Sequence, residues 1–277
     1  MRAAFDLKTM NAAIAGTRFA GRVLHCVSVD STNAVALGAA QGGAEGGVYV
    51  ADEQTAGRGR GGHGWHSAVG DGLYVSVIVR PRMAIAQALW LSLATGLAAQ
   101  SAIAAATGLK ADIRWPNDLL LRGRKCGGVL VETSSVAAQQ GAAASLRYAV
   151  IGVGINVNHA GFPVELATLA TSLRLESGHE VERELVLAEF LLALEQEIAE
   201  LEAEVRGGSH GAGLLERFSA ASSWVRGKRV RVDEGGGYTG VTDGVDDAGF
   251  LRVMDDGGRV RIVLSGGVRP FEGYSED

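Results

Sequence analysis

Apolar and polar positions alternate along Val23–Val29 (VLHCVSV), and the run is rich in β-branched residues, so a strand is predicted there. Asp30-Ser31-Thr32-Asn33 follows, with short polar side chains able to accept from the free N–H groups of a helix start, and a helix is predicted through Ala34 to Ala40. Gly47 to Glu53 and Leu73 to Arg80 read as strands, while Gln54 to Gly72 between them has no apolar periodicity and reads as a loop. Ile85 to Ala106 is predicted to be a long helix whose many alanines suit close packing against a sheet. Further strands are expected at Asp112 to Trp115, Leu119 to Leu121, Gly128 to Thr133 and Arg147 to Val157, and helices at Arg183 to Val205 and Leu214 to Ser222. After Trp224 the texture changes to short β-like runs broken by Gly and Asp turns, the pattern of a small β-barrel.

Strands in runs, with helices set to one side, make the larger part α+β with a mixed sheet. The expected division is 1–223, including a helical extension at 1–21, and a barrel at 224–277. No internal repeat is visible, and QGGAEGG and AAQQGAAAS read as tolerant loops.

With 47% hydrophobic residues, the chain can bury a full core without disulfides or a structural metal. The formal net charge of -5 opposes a general nucleic-acid binder, which needs a basic footprint, but leaves room for a local cationic pocket. Cys26 and Cys126 have no metal-ligand spacing, and the six histidines suggest neither a metal cluster nor a catalytic triad. Asp6 and Lys8 interrupt the Ala-rich start before it resembles a signal sequence, and no stretch reads as long and apolar enough to span a membrane. A cytoplasmic protein is expected.

Four segments carry candidate chemistry. Gly57-Arg58-Gly59-Arg60-Gly61-Gly62-His63-Gly64-Trp65 contains a formal G-x-G-x-x-G, but no helix can open there, so the dinucleotide reading fails. Glycines interleaved with guanidiniums describe either a lid that closes over an anion or a solvated Arg-Gly segment; the flanking strands favour the lid. In Arg114-Trp115-Pro116-Asn117-Asp118 the tryptophan is either core or a ligand platform, and the Asn-Asp pair either faces a ligand or merely makes a turn. Lys125 stands just before Gly127, Gly128 and a buried-looking VLVE strand. Gly152 and Gly154 alternate along YAVIGVGINV, which marks either a close ligand or a tight sheet-to-helix contact.

In order along the chain, Asp30-Ser31-Thr32-Asn33, Gln54 to Arg60, Trp65, Trp115 to Asp118, Lys125 with its glycines, and Gly152-Val153-Gly154-Ile155-Asn156 resemble the biotin protein ligase family. The tail ending in Ser265-Gly266-Gly267-Val268-Arg269 is similar to that family's SH3-like C-terminal domain. The resemblance implies a catalytic domain akin to class II aminoacyl-tRNA synthetases, which makes biotinyl-adenylate from biotin and ATP and transfers biotin to a lysine of a biotin carboxyl carrier domain. It implies that Ser31, Thr32, Asn33 and Gln54 meet the biotin rings, and that Gly57, Arg58, Gly59, Arg60 and Trp65 close over them. Lys125 would reach the biotin carboxylate and α-phosphate, with Gly128 and Gly154 in the pocket. Asn117, Asp118 and Asn156 would hold the nucleotide with its magnesium, and Arg269 would approach the phosphates. Arg60, Lys125, Arg114 and Asp118 are the expected catalytic residues, with no dedicated protein metal site.

Two departures stand out. Most members carry Lys where this chain has Arg114, and a guanidinium stays protonated, so its role must be electrostatic. Some members wall the adenine with a tryptophan after the Gly-Ile-Asn motif, where this chain has HAGFPVELATLATSL. Too few residues precede Val23 for a helix-turn-helix, so the ligase-only type without nucleic-acid or membrane partners, monomeric or homodimeric, is expected. The competing readings are a lipoate or octanoyl ligase or transferase of the same fold and a non-catalytic biotinyl-adenylate binder.

Overall fold

Two sheets organise the molecule in a computed structural model that describes residues 5–137, 143–207 and 213–271. The elements run α1 (Leu7–Ala13), β1 (Val23–Val29), α2 (Thr32–Gln41), β2 (Gly47–Gln54), β3 (Gly72–Val79), α3 (Ala88–Thr107), β4 (Asp112–Arg114), β5 (Asp118–Leu121), β6 (Arg124–Val136) and β7 (Ser145–Asn156). They continue with α4 (Leu173–Ser177), α5 (Arg183–Val205), α6 (Leu214–Ala221), β8 (Arg226–Val232), β9 (Tyr238–Val245), β10 (Leu251–Asp255), β11 (Val260–Val263) and β12 (Val268–Pro270). The larger sheet has the order β1-β2-β3-β7-β6-β5-β4, parallel only between β1 and β2, and is therefore mixed as expected. The five-stranded sheet, β11-β10-β9-β8-β12, is antiparallel throughout.

The helices do not all lie on one side. α3 and α5 pack on one face of the large sheet, where Leu97, Ile103, Phe190 and Leu194 join Val75, Val77, Ile151 and Val153 in the main core. α2 packs on the opposite face, where Ala36 and Ala40 meet Ile78, Tyr148 and Val150 in a second cluster. β3 is consequently buried along its whole length, which explains why LYVSVIV reads as a continuous apolar run.

The helix spanning Ile85–Thr107 departs from the sequence reading, because its 23 residues include an 18-residue stretch with a mean hydropathy of 1.4, long and apolar enough to cross a membrane. Its position accounts for that composition, since α3 runs between the large sheet, α5 and α6 and buries residues around its whole circumference. The small sheet shares the main core: Val230, Leu251, Val253 and Val263 belong to the same cluster as Leu93 and Leu97. Trp115 is core rather than platform, 2% exposed, and its indole N–H donates to the Gly249 carbonyl at 2.9 Å, joining the two sheets. The loop Gln41–Gly47 joins α2 to β2, and most of AAQQGAAAS lies outside the described residues.

Candidate active site

Side-chain alternation along β7 divides its two faces. Ala149, Ile151, Val153 and Ile155 enter the main core, whereas Tyr148, Val150, Gly152 and Gly154 face α2. α2 covers Tyr148 and Val150, and the two glycines continue the row as an open floor. The pairing Ser76↔Gly152↔Leu130, followed by Tyr74↔Gly154↔Gly128, extends that floor across β3 and β6. The resulting cleft has an empty volume of about 450 Å³.

The sheet-to-helix reading of the glycine pair is realised at Gly152, and Gly154 meets a lid side chain instead. A Cβ on Gly152 would lie 2.1 Å from Asn33 Oδ1, so this glycine admits the first turn of α2. A Cβ on Gly154 would lie 2.5 Å from the Trp65 indole, so this one admits the lid.

The α2 N-terminus is held partly as the sequence leads one to expect, with Asp30 Oδ1 accepting from the Ser31 N–H at 2.7 Å. Ser31 is the N-cap but its side chain makes no capping bond; instead the Thr32 N–H donates across to Gln54 Oε1 at 2.9 Å. The Thr32 hydroxyl donates to the same oxygen at 3.0 Å, and Gln54 Nε2 donates to Ser67 Oγ at 3.0 Å. Asn33 is oriented at both ends, because Nδ2 donates to Glu132 Oε2 at 2.8 Å while Oδ1 accepts from the Ser76 hydroxyl. Ser76, Glu132 and Ser67 were not singled out from sequence. Ser76 left a signal, a lone hydroxyl inside an apolar strand, whereas Glu132 and Ser67 look like ordinary polar residues until the pairing brings them in.

The lid is ordered as a tight hairpin. The Gly59 N–H donates to the His63 carbonyl at 2.7 Å, the Trp65 N–H donates to the Gly57 carbonyl at 2.9 Å, and Arg58 pairs with Gly64. Gly61 and Gly62 turn the chain with φ of 64° and 78°, which disfavours residues with a Cβ. The hairpin sets Trp65 over the floor, and its buried indole N–H has no hydrogen-bond partner among the described residues. Arg60 Nη1 donates to Asn117 Oδ1 at 3.1 Å and Nη2 donates to the Ser265 carbonyl at 3.0 Å, so the small sheet's last turn latches the lid. Burial lowers the Arg60 pKa from its ordinary value and the nearby Asp118 charge opposes the shift, but a guanidinium stays charged.

Lys125 stands within β6, not ahead of it as read from sequence. The β5–β6 register slips between Leu119↔Gly127 and Leu120↔Lys125, making Cys126 the extra residue of a bulge. The extra residue turns the Lys125 side chain onto the face of Gly128, where it lines the cleft 5.4 Å from the Trp65 ring centre. Cys126 itself is fully buried and its thiol is pushed up to about 12 by desolvation, which makes it inert. Lys125 Nζ pairs with Asp118 Oδ1, and Arg114 donates to Asp118 Oδ2 from Nη2 at 2.6 Å and from Nε at 3.1 Å. Burial pushes the Asp118 pKa up, but the Lys125 and Arg114 charges outweigh it and hold the carboxyl below its ordinary value. Asp118 is therefore a poor proton acceptor.

Ser31, Thr32, Asn33, Gln54, Arg58, Gly59, Arg60, Trp65, Asn117, Lys125, Gly128 and Gly154 all line the cleft. Gly57, Arg114, Asp118, Asn156 and Arg269 do not. Gly57 supports the lid, since a Cβ there would meet the Trp65 carbonyl at 2.7 Å. Arg114 stands behind Asp118 with its guanidinium 5.4 Å from the Trp224 ring centre. Asn156 is buried, with Nδ2 donating to the Thr171 carbonyl at 3.0 Å. Arg269 is paired with Asp233 at 2.9 Å, and the tail reaches the lid through Ser265 instead. Asn117 Oδ1, Asp118 and the Asn156 amide N–H are thus engaged by protein partners, and among the described residues no group of three or more His, Cys, Asp or Glu could hold a metal.

Fold and cleft together define an α+β protein with a glycine-floored cleft lined by Thr32, Asn33, a lysine and the arginines of a lid. Residues 25–156 match the model of the biotin/lipoate A/B protein ligase family. The chain is 36% identical to the biotin--[acetyl-CoA-carboxylase] ligase of Mycobacterium tuberculosis, over 97% of this chain and 96% of that one. It is 35% identical to the bifunctional ligase/repressor BirA of Bacillus spizizenii over 79% of this chain, and spans 64% of that relative's length. The biotin protein ligase of Aquifex aeolicus, solved in complex with biotin and ATP, superposes with a TM-score of 0.71 at 26% identity, over 90% of this chain and 98% of that one. The chain belongs to the biotin/lipoate A/B protein ligase family.

Proposed function

We propose that the chain is a biotin protein ligase that joins biotin to AMP and then passes it to a lysine of a biotin carboxyl carrier domain. The observation that carries this reading is the cleft itself, where Lys125, Arg58 and Arg60 surround a floor flanked by Thr32 and Asn33, which the buried Ser76 hydroxyl orients from behind. Biotin has a ureido ring that both donates and accepts hydrogen bonds, and those oriented side chains suit it. The dithiolane of lipoate has no such groups, which favours biotin over the lipoate reading. A biotin carboxylate oxygen forms a bond to the α-phosphorus of ATP while the bond to the bridging oxygen breaks and pyrophosphate leaves. Both reactants are anions, so the work of Lys125 and the lid arginines is to offset their repulsion and the charge spread over the phosphoryl oxygens.

In the second step the acceptor amine attacks the mixed anhydride carbonyl, AMP leaves, and the amine loses a proton. The lid, latched at Asn117 and Ser265, shields the anhydride from water until that amine arrives. Magnesium would enter on the nucleotide phosphates, since Asn117 Oδ1 and the Asp118 carboxylate are already engaged by Arg60, Lys125 and Arg114. The use of ATP and two free thiols support a cytoplasmic setting. The test is incubation with ATP, magnesium and a biotin carboxyl carrier domain, comparing biotin with lipoate. Biotin-dependent pyrophosphate release and labelling of a single carrier lysine are expected. Preference for lipoate would overturn the substrate, and pyrophosphate release without transfer would overturn the ligase reading.

A further inference from the structure

Two hydrogen bonds, which together form a parallel bridge to Ala170, hold the Lys125 backbone from outside its own sheet. Its N–H donates to the Leu169 carbonyl at 2.8 Å, and its carbonyl accepts from the Thr171 N–H at 2.9 Å. The β6–β7 ladder ends at Gly127↔Ile155, and these bonds carry on along that edge while the other edge of Lys125 faces Leu120 of β5, so segment 169–171 helps decide where the lysine beside the bulge sits.

That segment is in turn fixed by one carboxylate. Glu176 in α4 has a side chain only 2% exposed, and it accepts from the Thr171 hydroxyl at 2.6 Å and from Arg124 Nη2 at 2.7 Å. Arg122 Nε lies 3.2 Å from its other oxygen. Glu176 therefore ties the residue immediately before Lys125 to the segment that hydrogen-bonds Lys125. Asn156 closes the same knot by donating to the Thr171 carbonyl at 3.0 Å.

We infer that Glu176 is a positioning residue for the reaction, acting through Lys125 by locking the bulge that turns this lysine into the cleft. The inference rests on the proposed role of Lys125 in adenylate formation. Glu176 lines no part of the cleft and cannot touch either substrate there. Its effect runs through geometry, to which reactions that depend on positioning respond steeply. A displacement of about 1 Å can cost roughly a hundredfold in rate.

The test is a double-mutant cycle on the full chain, with pyrophosphate release from biotin, ATP and magnesium measured for wild type, Glu176→Gln, Lys125→Ala and the double variant. Gln keeps the side-chain shape and an acceptor for Thr171 but loses the charge that holds Arg124, so thermal melting should still show cooperative unfolding. Glu176→Gln should slow pyrophosphate release by about ten- to a hundredfold. In the Lys125→Ala background the same change should cost nothing further, because the group it positions is gone. Wild-type rates for Glu176→Gln beside an inactive Lys125→Ala would overturn the inference, as would full additivity in the double variant. Wild-type activity in Lys125→Ala would instead overturn the role given to the lysine itself.

Discussion

The two faces of β7 show the difference between residues that hold the fold and residues that serve the site. On one face Ile151, Val153 and Ile155 are buried against α3, α5 and neighbouring strands; on the other, two residues along, Gly152 and Gly154 leave a cleft floored by backbone. The strand is the same and its period of two is unbroken. The core face stabilises by removing apolar surface from water, whereas the cleft face gives up that burial to let Asn33 and Trp65 approach closely. Stability and function are thus separated by the pleat, and substitutions at neighbouring positions should have different consequences.

The largest effect is expected on the core face. Ile151→Ala removes a fully buried side chain and should lower unfolding free energy by about 2 to 5 kcal/mol, while folded molecules bind biotin normally. Denaturant unfolding together with biotin titration checks this, and unchanged stability would break the division of the two faces. On the cleft side, Lys125→Ala keeps the main-chain bonds to Leu169 and Thr171 and should still unfold cooperatively. Its pyrophosphate release should fall by about a hundred- to a thousandfold, the scale of losing one preorganised charge. A smaller effect is expected for Gly154→Ala, whose methyl would press on the Trp65 indole and displace the lid. Overpacking of this kind costs about 1 to 3 kcal/mol, to be read as weaker biotin binding with little change in melting temperature.

The smallest effect concerns acid stability. Because the Asp118 pKa lies below its ordinary value in the folded chain, its contribution is complete above that value and is lost as pH falls through the folded pKa. Asp118→Asn should therefore be less stable than wild type at neutral pH, and the gap should narrow below about pH 4. Denaturant titrations from neutral to acidic pH measure this; curves that stay parallel would show that the Asp118 pairing with Lys125 and Arg114 contributes nothing to stability.

Much of the framework was legible in advance. β1 and α5 have the predicted limits, Val23–Val29 and Arg183–Val205, because alternation and helical periodicity are local properties of the chain. The lid between β2 and β3 was legible as a glycine and arginine segment, but its hairpin was not, since it depends on bonds such as Gly59 to His63 that no apolar period announces. Lys125 was recognisable as a residue type and misplaced as a position. The glycines after it suggested that the strand begins later, whereas pairing with β5 carries it back to Arg124.

By itself, the sequence determined the order of the elements, the α+β character with a β-rich tail, and the set of segments that carry cations and glycines. Those properties follow from side-chain size, periodicity and turn chemistry within a few residues. Only the tertiary structure decided that Ser76 and Glu132 orient Asn33, that Ser265 rather than Arg269 meets the lid, and that Glu176 reaches Arg124 and Thr171. These contacts join distant parts of the chain or hang on a one-residue bulge. They depend on strand register and sheet order, which are set when the whole core packs rather than by any local run of residues.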